Sequence, residues 1–258
     1  MRIDNHDWEL PSSVTETIGL ERLVKRPLLF LLLFFLLALV GCGEELEEPV
    51  PTPTPSAEDW LGRAVEGWNE MESFHFALAL EERTIELDED GTLSIDEAEG
   101  DVMAPDRMQA ETSVRTPFGS TMVAFIAIGD EQWLTNPLSG KWEEAPPDMR
   151  AEVTGLFDRE AGIGAILADM ENLERLADET VEERPTVHLR GTLPGALLTD
   201  FADDLPETVT VDLWIDEEEH HILKLVITEP ATDEPEATWT FLFSGFNDTP
   251  VIEPPSRE

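Results

Sequence analysis

The hydrophobic and polar positions change period several times along the chain. Leu28–Val40 is an unbroken apolar run, preceded by Lys25-Arg26-Pro27 and followed by Gly41-Cys42. Ala57 to Glu72 has helical spacing: Trp60, Ala64, Trp68 and Met71 share one face, flanked by Leu61 and Val65. Ser56 is placed to cap this helix, with Asp59 three residues on. From Ser73 the period becomes two, and Phe74, Phe76, Leu78 and Leu80 alternate with His75, Ala77, Ala79 and Glu81. Further strands are predicted over Ser94–Met103, Arg107–Val114, Gly119–Ile128 and Glu131–Thr135, with a tight turn at Gly129-Asp130. Leu156–Met170 predicts a helix with Ile163, Ile166, Leu167 and Met170 on one stripe. Strands over Glu174–Glu182 and Pro185–Leu193, a short helix over Gly195–Asp204, and strands over Glu207–Asp216, His221–Thr228 and Ala237–Phe246 complete the pattern. The proline-rich tail from Asp248 predicts irregular structure. The expectation is an antiparallel meander interrupted by helices. Two strands, Thr121–Ile128 and Ile222–Ile227, are apolar on both faces, so each either carries a cover on its second face or lines an apolar cavity.

The thirteen-residue run Leu28–Val40 would span about 20 Å as a helix at ~1.5 Å per residue. That is short of the ~30 Å hydrocarbon core of a bilayer. Basic residues, a short apolar stretch and small residues before the cleavage point are the pattern of an export signal. Leu39-Val40-Gly41-Cys42 resembles the bacterial lipobox, which implies lipidation of Cys42 and cleavage before it. The expected organisation is a signal segment at 1–41, a lipidated cysteine with an acidic proline-rich linker at 42–56, and one domain at 57–258. Gly43–Ser56 would be extended, at ~3.1 Å per residue, enough to hold a domain some 40 Å from the membrane. One acyl chain anchors marginally and two or more anchor stably. The expected location is outside the cytoplasm, held by lipid to the cell membrane or outer envelope.

Charge narrows the partners. The chain has 57 acidic and 16 basic residues, a formal net charge of −41. This excludes nucleic acid and electrostatic docking to anionic lipid, both of which need a basic surface. Cys42 is the sole cysteine, so no disulfide can form within the chain.

Spread along the chain are Ser73-Phe74-His75-Phe76, Ala98-Glu99-Gly100-Asp101-Val102 before Pro105, and Ile128-Gly129-Asp130 before Trp133. Asn136-Pro137, Gly140-Lys141-Trp142, Gly162–Leu167, Val211–Asp216, Phe246–Pro250 and Pro254-Pro255 follow. In that order they resemble the LppX/LprA/LprF/LprG family of mycobacterial lipoproteins over about residues 57–255. The resemblance implies an α+β fold: a strongly curved antiparallel half-barrel of about eleven strands, with helices on its concave side, similar to the carriers LolA and LolB. It implies an apolar cavity that takes up acyl chains of a lipid or glycolipid for carriage within the envelope. The chain departs from the family in its acidity, its lack of tyrosine and an acidic insertion near Glu86–Glu97.

Candidate lipid-binding residues from the strands are Phe76, Leu78, Met122, Ala124, Ile126 and Leu213; from the helices they are Ile163, Leu167, Leu197 and Phe201. The implied partners are the lipid ligand, the membrane through its anchor and a membrane transporter, with the domain itself a monomer and no cofactor. The alternative is a structural lipoprotein with the same fold and a filled interior. No HExxH or GxSxG motif is present, and His75, His188, His220 and His221 form no catalytic pattern, so no enzyme is expected. Glu86–Glu97 partly fits a calcium loop through Asp88, Asp90 and Glu97. Asp90-Gly91 between two strands is equally an ordinary hairpin turn.

Overall fold

The computed structural model describes residues 54–87, 92–199, 205–231 and 235–256. Cys42, Asp88, Asp90 and Phe201 lie outside the described residues, as do the expected signal segment and most of the linker. Pro53–Glu258 forms one unit by its internal contacts.

The first element is helix α1, Ala57–Asn69. It starts where the sequence places it because Ser56 and Asp59 form a reciprocal capping box: the Asp59 N–H donates to Ser56 Oγ (3.1 Å), and the Ser56 N–H donates to Asp59 Oδ2 (2.9 Å). The Ser56 N–H, and after it the Ser56 hydroxyl, hold the Asp59 carboxyl below the usual range. Trp60, Leu61, Ala64 and Trp68 are buried along one face.

The strands follow as β1 (Ser73–Glu81), β2 (Ile85–Glu86), β3 (Ser94–Met103), β4 (Arg107–Thr116), β5 (Gly119–Ile128), β6 (Glu131–Thr135) and β7 (Trp142–Glu144). Two short helices, α2 (Val153–Leu156) and α3 (Ile163–Ala168), precede β8 (Glu171–Arg175), β9 (Glu179–Val181) and β10 (Arg184–Pro194). A 3-10 turn at Gly195–Leu198 leads to β11 (Thr208–Asp216), β12 (Ile222–Glu229) and β13 (Ala237–Ser244). They form one open antiparallel sheet of 13 strands in the order β7-β6-β5-β4-β3-β1-β13-β12-β11-β10-β8, with β2 on β3 and β9 on β10. The expected eleven strands are the main path; the two short side strands make the difference. β1 lies between β3 and β13, so the two ends of the chain close the middle of the sheet.

Two helices were expected to be longer. The Leu156–Met170 segment breaks at Asp158, whose Oδ1 accepts from the N–H groups of Glu160 (2.7 Å) and Ala161 (2.9 Å) and folds a turn between α2 and α3. Of the Gly195–Asp204 segment, Gly195–Leu198 is a 3-10 turn. The Glu174–Glu182 strand divides into β8 and β9. The tail is irregular as expected, yet it is tied down: the Asn247 N–H bonds Ser73 O (2.9 Å), Arg107 bonds Ile252 O (3.2 Å), and Ile252 is buried.

Register assigns the faces, because directly opposed residues share one side of a sheet. Phe74 opposes Val102, Val102 opposes Met108, and Met108 opposes Ala127. Phe76 opposes Phe243, Leu78 opposes Phe241, and Leu80 opposes Trp239. Continuing through Ile227 and Leu225 to Val211 and Leu213, these residues make one continuous apolar face. The helices pack against that face, with Trp68 of α1 in ring contact with Phe74 and Phe243. The opposite face is polar and carries ion pairs. On β10 and β11, the His188 Nε2–H donates to Asp212 Oδ1 at 2.6 Å, and the Arg190 Nε–H donates to the same oxygen at 2.9 Å. Trp214 stacks on His188 at 4.2 Å, with Lys224 over its other side at 4.3 Å. At the β11–β12 turn, burial pushes the Asp216 carboxyl up. The N–H groups of Glu219 and Glu218 and the Arg184 guanidinium outweigh it and hold the group below the usual range.

Candidate functional site

The apolar face does not fill itself. Between it and the helix layer lies a cavity of about 190 Å³. Every residue lining it is apolar. The sheet supplies one wall through Phe74 and Phe76 of β1, Phe241 and Phe243 of β13, and Leu225 and Ile227 of β12. Leu156 of α2 and Ile163, Ile166 and Leu167 of α3 supply the other. The spacing i, i+3, i+4 puts the three α3 side chains on one face of that helix. Leu198 and Leu205 approach from the loop before β11.

Aromatic packing fixes the sheet wall. Phe74 and Phe243 meet edge-on at 5.7 Å, and Phe241 and Phe243 are stacked at 6.0 Å. Trp239 also faces the cavity, and its Nε1–H donates to Glu229 Oε1 at 2.7 Å. Arg83 pairs with Glu229 at 3.2 Å and lies over the Trp239 ring. The indole polar atom is therefore satisfied at the margin, and only its ring meets the cavity. The helix wall is set by a close approach at Gly164: a Cβ there would come within 2.5 Å of Asn69 Oδ1. Glycine lets α3 lie directly against the end of α1, which turns Ile163 and Leu167 toward the sheet.

Three of the sequence-derived candidates come together here: Phe76, Ile163 and Leu167 line the cavity. Leu78, one strand step along, shares the face of Phe76 and packs against the core outside the cavity. Leu213 is on the same face and fully buried within the core. Leu197 is half-buried and packs on the core, while its neighbour Leu198 lines the cavity. Met122, Ala124 and Ile126 require correction. They lie on the opposite face of β5, because Ala127, the partner of Met108, puts Val123, Phe125 and Ala127 inward. Glu97 lies within β3, and the described residues contain no group of three or more metal-ligating side chains. Sequence reasoning missed the β13 wall. Its signal was present in Trp239-Thr-Phe241-Leu-Phe243, where aromatics fall on every second position.

An open, curved antiparallel sheet holding an apolar hollow under short helices is the architecture of envelope lipoproteins of one family. The model of the LppX_LprAFG lipoproteins matches residues 56–251, and the chain belongs to that family. LprF from Mycobacterium bovis is similar at 15% identity, with 80% of this chain and 100% of that chain covered and a TM-score of 0.63. The Mycobacterium tuberculosis lipoprotein LppX is similar at 18% identity, with 78% and 100% covered and a TM-score of 0.57. At these identities the two structures establish the shared fold. No curated protein matches the sequence. Among the described residues no helix is long and apolar enough to cross a membrane.

Proposed function

We propose that this lipoprotein binds an acyl chain of a lipid or glycolipid in the cavity and carries it within the cell envelope, tethered outside the cytoplasm through Cys42. The single observation behind this reading is the cavity lined by apolar side chains alone. An apolar cavity of ~150 Å³ in a protein core stays dry and takes up an apolar guest, so about 190 Å³ suits hydrocarbon better than water. Binding draws on apolar burial at ~25 cal/mol per Å² before ordering costs.

The volume also sets a condition. Ligand sites usually run from ~300 Å³ upward, so the hollow as it stands accepts a chain segment and not a whole lipid. Uptake of a full chain requires the α2–α3 wall to move outward. Those helices are four and six residues long and have little stability of their own, so packing alone holds them. The same small volume favours a second reading, a structural lipoprotein whose interior is simply closed.

A cavity-filling substitution separates the two. Ile166→Trp in residues 53–258 is expected to lower uptake of a fluorescent fatty acid at least about tenfold, since the indole occupies the hollow. Its melting temperature should remain near that of the parent. Unchanged uptake in a folded variant would place the lipid elsewhere.

A further inference from the structure

The outer face of β5 to β7 departs from the rest of the protein. Phe118, at the β4–β5 turn, is 95% exposed; Leu138, in the β6–β7 turn, is 91% exposed; and Met122 behind them is 61% exposed. Hydrogen-bonded turns display the two tip residues. Thr116 Oγ1 accepts from the Phe118 N–H (3.1 Å) and donates to Gly119 O (2.7 Å). Asn136 Oδ1 accepts from the N–H groups of Leu138 (2.9 Å) and Ser139 (3.0 Å). Thr121 Oγ1 reaches Pro137 O at 3.5 Å, so the two tips sit side by side. Ile126 opposes Trp133, and Thr135 opposes Trp142, which puts both indoles, half-buried, on the same outer face as Met122.

The charge pattern marks the same corner. The chain holds 57 carboxylate side chains, yet residues 112–129 and 132–142 contain none. Of the two basic residues in these stretches, Arg115 is paired with Asp96. Lys141 is exposed beside Leu138, and no ion pair among the described residues involves it.

We propose that this corner is a membrane-contact site, at which Phe118 and Leu138 enter the interface of a lipid bilayer. The proposal rests on the lipoprotein reading, which keeps the domain within reach of a bilayer. Three features select a bilayer. Protruding Phe and Leu, tryptophans one step behind and a lysine able to snorkel are the composition of a protein surface seated at headgroup level. The remaining surface, strongly acidic, is repelled by anionic lipid. The two turn tips carry no carboxylate of their own, with Glu143 bonded to Asn136 at the base of one and Glu144 opposite Trp133, so tip-first is the orientation left for close approach. The exposed apolar side chains are few: two copies meeting through Phe118, Leu138 and Met122 alone would bury less than the ~1,200 Å² of a specific protein interface.

The test uses the lipidated chain, in which the Cys42 thiol is consumed by the lipid thioether, so that one introduced cysteine alone carries an environment-sensitive fluorophore. Phe118→Cys is compared with Glu174→Cys on the exposed far edge of the sheet. The chains are reconstituted in phosphatidylcholine vesicles with a minority of phosphatidylglycerol and a spin-labelled quencher lipid. Several-fold stronger quenching at position 118, reduced to the level at 174 by Leu138→Asp, is the expected result. Equal quenching at both positions, or no effect of Leu138→Asp, overturns the proposal. So does a position-118 signal that depends on protein concentration without lipid, which would indicate a second copy. Fatty-acid uptake on the same samples reports the cavity separately: uptake without corner contact overturns only this proposal, and corner contact without uptake overturns only the cavity reading.

Discussion

Gly100→Ala is expected to destabilise the domain by about 3 kcal/mol, a large effect for one methyl group. Gly100 lies on the concave face where Phe76, Gly100, Ala110 and Phe125 oppose one another across four strands. A Cβ there would lie 2.1 Å from Gln109 O and 2.7 Å from Ala110 Cα. Both are backbone atoms, so no rotamer change relieves the clash and β4 itself must shift. The register of β3 on β4 is already irregular between Ile95 and Ala98, where the sheet bends. Gly62→Ala is the control. It sits in α1 with nothing within 4 Å of an added Cβ, and it should stabilise by up to ~1 kcal/mol. Urea unfolding of residues 53–258 measures both changes. A Gly100→Ala midpoint equal to the parent's would mean that β3 and β4 are not packed this closely.

Asp212→Ala has the second large effect, again about 3 kcal/mol. The Asp212 and His188 side chains are each 6% exposed, and their 2.6 Å bond is the shortest link in the outer-face cluster. Removing the carboxylate strands the imidazole between Trp214 and Glu179, whose Oε1 is 3.3 Å from His188 Nδ1. The Arg190 side chain is half-exposed and can turn to water, so Arg190→Ala should cost about 1 kcal/mol or less. Replacing both partners, His188→Leu with Asp212→Leu, should cost less than Asp212→Ala alone, because no buried polar group is then left without a partner. Urea midpoints of the three variants test the ordering. Asp212→Ala within 1 kcal/mol of the parent would contradict it.

Local chemistry made part of this structure readable from sequence. The Ser56–Asp59 box started α1, Trp60, Ala64 and Trp68 gave its buried face, and Gly129-Asp130 closed the β5–β6 hairpin between Ile128 and Glu131. What escaped depends on partners distant in sequence. β5 is apolar at odd and even positions alike, so period two carries no parity, and only its pairing to Met108 turns Val123 and Phe125 inward. That ambiguity sent Met122, Ala124 and Ile126 to the cavity, whereas they belong to the outer corner. The Leu156–Met170 segment shows an unbroken apolar stripe, but the side-chain bonds of Asp158 prevail over it and leave two short helices. The His188–Asp212 pair joins strands 24 residues apart and has no local signature.

Whether the hollow under α2 and α3 takes hydrocarbon decides between a carrier and a closed structural lipoprotein. Native mass spectrometry of residues 53–258, purified without detergent and then incubated with mixed acyl lipids, addresses this most directly. The expected result is a set of discrete adducts at acyl-lipid masses, lost on organic extraction and absent in Ile166→Trp. A bare protein mass before and after incubation would contradict it, and would leave a structural lipoprotein with a closed interior.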